Sequence, residues 1–249
     1  MGSAMLSSWQ KYPEHGITDF YVIEPNHSAD NFFKTLAELP TNIKPDVIIF
    51  AAKPQQLADI LPEYKKRFGM TPLYISIAAG KTLGFFAEHL GTDAKIVRAM
   101  PNTPALVGKA ITALCANQNV SDAGKSSATA LMESFGEVVW VAEKDMDAVT
   151  AISGSGPAYV FLFLEAITKA GIGAGLSPEI AKILALEMTH GSLHLAAKTG
   201  EPFEKLRHNV TSKGGTTEAA LGVLMDKDAL EKLMNEAVQA AINRAKTLA

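Results

Sequence analysis

The first 144 residues alternate between short apolar runs and stretches of helical period, and beyond about residue 145 the apolar runs stop. That switch constrains the fold more than any single residue does. Phe20-Tyr21-Val22-Ile23, Val47-Ile48-Ile49-Phe50, Leu73-Tyr74-Ile75-Ser76-Ile77 and Ile96-Val97-Arg98-Ala99 have the length, roughly four to eight residues, of strands buried on both faces. Between them Leu57, Ile60, Leu61, Tyr64 and Phe68 recur at spacings of three and four, which gives a helix one apolar face. Strand–helix alternation of this kind predicts a doubly wound, Rossmann-like α/β domain over residues 1–144. Two more strands are expected around Ala110–Ala116 and Val138–Val141, flanking a helix from about Ser121 to Ser134. Residues 145–249 read as an all-α domain, with helices near 156–171, 178–199 and 228–247. The last carries a stripe of Leu230, Leu233, Met234, Ala237, Ala241 and Ile242. Many of these helices are apolar for a monomer of this size, so self-association through them is expected, a well-buried monomeric bundle being the alternative.

Composition narrows the function classes. Charged residues make up 20% and the formal net charge is −3, without the clustered basic excess of a nucleic-acid surface. A single cysteine, Cys115, leaves no internal disulfide and fits a reducing compartment. No apolar run reaches the roughly 18 residues of a membrane span, and Met1–Tyr12 lacks the layout of a signal peptide. The expectation is a cytoplasmic protein with no nucleic-acid or membrane partner. His190 and His194 are four apart, a spacing that can hold a metal on a helix. No Glu or Cys joins them at a ligand offset, so no metal site is expected.

The chain begins oddly for such a domain. A dinucleotide fold opens with a strand, then G-x-G-x-x-G, then a helix. Here Gly2-Ser3-Ala4-Met5-Leu6 leads straight into a helix toward Trp9, and His15-Gly16 breaks toward the next strand. Gly171-Ile172-Gly173-Ala174-Gly175 follows a helix and reads as its C-cap. Glu24, at the end of Phe20–Ile23, stands where an acidic residue accepts hydrogen bonds from ribose hydroxyls; a solvated charge fits the spot equally well. In the first role it would favour NADH over NADPH, with Asn26, His27 and Ser28 as the polar groups left to accommodate a 2′-phosphate.

Five segments carry more specific information. Ala51-Ala52-Lys53-Pro54 ends a strand, where open α/β sheets bind ligands; a plain strand-to-helix turn also fits it. Ser76-Ile77-Ala78-Ala79-Gly80 ends the next. Arg98-Ala99-Met100-Pro101-Asn102-Thr103-Pro104 is a loop stiffened by two prolines. Ser153-Gly154-Ser155-Gly156-Pro157 makes a tight turn with proline at the first turn of the following helix. Asn209-Val210-Thr211-Ser212-Lys213-Gly214-Gly215-Thr216-Thr217-Glu218-Ala219-Ala220-Leu221 is a glycine loop feeding a helix, whose exposed N–H groups suit an anion.

Together, in this order and over essentially the whole chain, these segments resemble the pyrroline-5-carboxylate reductase family; the fifth is the most specific. Lys213 stands where members often carry proline. The resemblance implies hydride transfer from NADPH or NADH to the C=N bond of 1-pyrroline-5-carboxylate, giving L-proline, in a homo-oligomer. It implies that Gly215 and Thr216 hold the substrate carboxylate, that Thr217 is the catalytic hydroxyl at the ring nitrogen, and that Glu143 lies beside the substrate. It places Gly2, Glu24, Ala51, Ala52, Lys53, Pro54, Ser76, Ala78 and Asn209 at the cofactor. It also implies that Gly2 is the third glycine of the dinucleotide turn. The first strand and first two glycines would then lie outside this chain, Met1 being an internal methionine of a longer protein. Two alternatives remain: a related imine or β-hydroxyacid reductase, and a catalytically impaired remnant that only oligomerises.

Overall fold

A computed structural model describes residues 1–11, 17, 19–26 and 31–247. The expected break at His15-Gly16, and His27 and Ser28, lie outside the described residues. The chain divides into two compact units: Met1–Ser155 with the stretch from Ala241, and Gly156–Ala240.

The first unit is the expected α/β domain. Strands β3 (Val47–Phe50), β4 (Leu73–Ser76), β5 (Lys95–Met100), β6 (Ala110–Ala116) and β7 (Gly136–Trp140) form one sheet in chain order. β3, β4 and β5 run parallel, β6 is antiparallel to β5, and β7 is parallel to β6. Alternating side chains point to opposite faces, and both faces are covered. Leu73, Ile75, Val97 and Ala99 pack with Met5 and Trp9 of helix α1 (Gly2–Lys11) and with Ala128 and Met132 of α4 (Asp122–Glu133). Ile48, Phe50, Tyr74 and Ile96 pack with Leu57 and Leu61 of α2 (Leu57–Phe68) and with Phe86 and Leu90 of α3 (Leu83–Leu90). Side-chain caps start two of these helices: Thr82 accepts from Phe85 N–H at 3.0 Å and Ser121 from Gly124 N–H at 3.2 Å.

Phe20–Ile23 is strand only at Val22–Ile23 (β1), which pairs in parallel with Phe32–Phe33 (β2), a strand too short to carry a period in the sequence. Val22 and Glu24 N–H donate to the carbonyls of Asn31 and Phe33, both at 2.9 Å. β1 and β2 form a sheet of their own, not joined by hydrogen bonds to β3. The space between β1 and β3 is a cleft of about 2050 Å³, larger than the roughly 300–1,000 Å³ of a compact small-molecule pocket.

The change of texture at about 145 falls before the boundary between the units, because residues that follow it pack on the sheet. Met146 of α5 (Met146–Val149) is buried against Met100, Ala113 and Cys115. A π-helical turn, Thr150–Gly154, follows, closed by Ser155 N–H to Thr150 C=O at 2.9 Å.

The second unit contains α6 (Gly156–Gly173), α7 (Pro178–Thr199), α8 (Phe203–Asn209), α9 (Thr216–Leu224) and most of α10 (Ala229–Lys246). α6 and α7 approach closely at Gly171, where an added Cβ would sit 3.2 Å from that of Ala181. Their outer faces leave Phe161, Leu162, Phe163, Ile183 and Leu184 about half exposed or more. The helical run Glu143–Gly173 is, by length and composition, apolar enough to cross a bilayer, and only 6% of its most apolar window is buried. Its segments look short in the sequence because Ser153–Pro157 reads as an interruption, whereas the backbone stays helical up to that turn and resumes at once.

Candidate active site

Five of the nine cofactor candidates lie near the C-terminal ends of β1 and β3. Gly2, Glu24, Ala51, Ala52 and Lys53 line one cleft. Gly2 opens α1 so near β3 that a Cβ on it would sit 3.0 Å from Cβ of Ala51. That is the close helix–strand approach a third glycine provides in a dinucleotide turn. The first turn of α1 holds no acidic residue, and its free N–H groups suit a phosphate. Lys53 is exposed beside it, at the head of a 3₁₀ turn that Pro54 opens. Glu24 is exposed, and its Oε1 accepts from Asn26 N–H at 3.2 Å, which fixes the carboxylate at the strand end. These groups fit a dinucleotide.

Ser76 and Ala78 differ. Both are buried, and Ser76 Oγ accepts from Ala78 N–H at 3.2 Å. Their side chains face the core, so only backbone there can meet a ligand.

Glu143 is engaged by the protein. Its Oε1 accepts from Leu83 N–H at 2.6 Å and from Arg98 Nη1 at 2.9 Å. Arg98 is 5% exposed in its side chain and Glu143 37%, so the pair anchors the start of α3 to β5 from the edge of the core. A substrate contact by Glu143 is left to Oε2. Arg98 is read in sequence as part of an apolar strand and as the start of the Arg98–Pro104 segment; a lone arginine inside such a run is the signal of a buried partner.

The loop candidates stand in the second unit. Asn209 is the exposed last residue of α8. Gly214 takes φ +73°, a conformation that favours glycine, and its N–H donates to Glu218 Oε2 at 2.6 Å. Gly215 N–H donates to Ser212 C=O at 3.0 Å, closing the turn. No side chain caps α9. The N–H groups of Thr216 and Thr217 lie in its first turn, where a helix has no intrahelical acceptors for them. Thr217 is half-buried and Thr216 exposed.

A parallel-centred α/β unit with a cleft between β1 and β3 that reaches their C-terminal ends, followed by an all-helical unit, is the architecture of a dinucleotide-dependent oxidoreductase of two parts. Residues 143–248 match the family model described as pyrroline-5-carboxylate reductase dimerisation. The pyrroline-5-carboxylate reductase of Synechocystis is 42% identical over 203 residues, 82% of this chain and 75% of that one. The enzyme of Haemophilus influenzae is 36% identical over 247 residues, 96% and 90% of the two chains. The solved Plasmodium falciparum pyrroline carboxylate reductase with NADP bound superposes with a TM-score of 0.87 at 34% identity, covering 100% of this chain and 94% of its own. The chain belongs to the pyrroline-5-carboxylate reductase family.

Proposed function

We propose that this chain reduces 1-pyrroline-5-carboxylate to L-proline with NADPH or NADH. The observation that carries the reading is the seating of Gly2 against Ala51 beside Lys53 and Glu24, in a chain of this family. The bound nicotinamide supplies the hydride. Ala51 and Ala52 let it approach the β3 backbone, and the N–H groups at the start of α1, with Lys53, hold phosphate. Pro54 directs the chain away from the strand end, and Ser76 and Ala78 offer backbone. Asn209 is assigned a cofactor contact. Glu24 favours a free ribose over a 2′-phosphate by charge.

In the second unit Thr216 and Thr217 N–H groups hold the substrate carboxylate, with Gly215 shaping the turn. Thr217 hydroxyl both donates and accepts, so it orients the ring nitrogen and retains its proton. The imine carbon is electrophilic already, and orientation is the protein's main contribution. The reading extends to a homo-oligomer of dimer size or larger and, on the single thiol Cys115, to the cytoplasm.

The test is oxidation of NADH or NADPH dependent on pyrroline-5-carboxylate, run beside other cyclic imines and hydroxy acids. Thr217→Ala is expected to lower kcat/KM by about 10²-fold and Thr217→Ser by much less. Faster turnover of another imine would redirect the substrate. The absence of saturable NADH or NADPH binding would replace the enzyme reading with that of an oligomer-forming chain.

A further inference from the structure

Asn102 does not do what asparagine usually does at its position. It is the N-cap of the 3₁₀ turn Thr103–Val107, yet its side chain caps nothing there. It is buried instead, 8% exposed. Its Oδ1 accepts from Ile111 N–H at 3.1 Å, and its Nδ2 donates to Ser153 C=O at 3.2 Å. One amide thus ties the end of β5, the start of β6 and the π-helical turn into one assembly.

The Ser153 carbonyl needs that donor for a reason visible in the sequence. In an α-helix it would accept from the N–H four residues on, and that residue is Pro157, which has none. A carbonyl without a partner is costly away from water. The same turn packs on the strand end: a Cβ on Gly154 would lie 3.5 Å from Sδ of Met100. Met100 ends β5, on the side of the sheet where Rossmann-type domains bind ligands.

We infer that Asn102 is a positioning residue, whose amide clamps the Ser153–Ser155 turn to the C-terminal end of β5 and so sets the geometry for hydride transfer. The inference rests on the reductase reading for its effect on rate, and on the hydrogen bonds alone for the clamp. Asn102→Asp keeps an acceptor for Ile111 but has no donor for Ser153. It is expected to lower kcat by about tenfold or more, because small misplacements of reacting groups cost that much. KM and cofactor Kd should stay within about threefold, as the groups assigned to binding are untouched. Amide hydrogen exchange at Gly154–Gly156 should quicken by about tenfold.

Asn102→Ala should show the same losses. Adding Pro157→Ala to it returns a helical N–H to the Ser153 carbonyl and is expected to restore the exchange protection. A single variant too unstable to purify but recovered in the double variant supports the clamp; one not recovered counts against it. Unchanged exchange in Asn102→Asp overturns the proposal. So does a fall in kcat that merely follows lost thermal stability without faster exchange. If the unsubstituted enzyme shows no turnover, the reductase reading alone fails, and the exchange measurements still decide the clamp.

Discussion

Burial in the central sheet acts on two titratable side chains in the same direction. The Cys115 thiol is pushed up to about 11 from 9.0 by desolvation, with smaller opposing effects of Arg98 and Glu143. The Tyr74 hydroxyl, which donates to Gly69 C=O at 2.6 Å, is pushed up to about 12 from 10.0, also by desolvation. In the unfolded chain both lose their protons first as pH rises. Their contribution to stability is therefore whole below about pH 9 and is lost between about 9 and 12. Denaturant midpoints are expected to fall across that window, and Cys115→Ala should flatten the part from 9 to 11. An equally steep fall in the variant would remove Cys115 from the account. The burial of Cys115 fits its place in an apolar strand. The loss of the Gly215 N–H to the Ser212 carbonyl is not legible in the sequence, because turn closure depends on φ and ψ over four residues rather than on their identities.

Among the elements, β6 and β7 show how narrowly one glycine can be specified. Gly136 begins β7 with φ +154°, and a Cβ there would lie 2.0 Å from the Ala110 carbonyl oxygen. Backbone cannot yield as a flexible side chain can, so the pairing of Ala110 with Gly136 must open. Gly136→Ala is expected to destabilise the first unit by at least about 2 kcal/mol, read as a shift in thermal or urea unfolding. A shift under half that size would show that the strands part cheaply. Helices were the easier elements to read, since Leu57–Phe68 repeats its apolar spacing over three turns. β2 escaped notice because two phenylalanines have no period, and only pairing with β1 makes them a strand.

For the whole molecule, self-association follows from what the helical unit leaves uncovered. Phe161, Leu162 and Phe163 on α6 are each more than half exposed, and residues 143–248 match the family model described as pyrroline-5-carboxylate reductase dimerisation. Burying apolar surface at roughly 25 cal/mol per Å² favours a second copy over water. Sedimentation equilibrium is expected to give a dimer or larger species. Phe161→Glu with Phe163→Glu should shift it toward a single chain with the α/β unit still folded. Unchanged mass in that variant would move the interface off this face.

Local pattern and chemistry, present in the order of residues, were enough for the two textures, the helix starts, the helix-opening glycine at Gly2 and the loop at Gly214–Thr217 that marks the family. Those features depend on neighbours within a few positions, where spacing dictates which face a side chain takes. Long-range pairing was decided only by folding. It separated β1 and β2 from the main sheet, bound Glu143 to Arg98 and Leu83, and brought the Asn102 amide to a carbonyl that Pro157 had left without a donor. Hydrogen bonds between residues tens of positions apart leave no period behind them, and which polar groups meet is set by how the strands and helices stack.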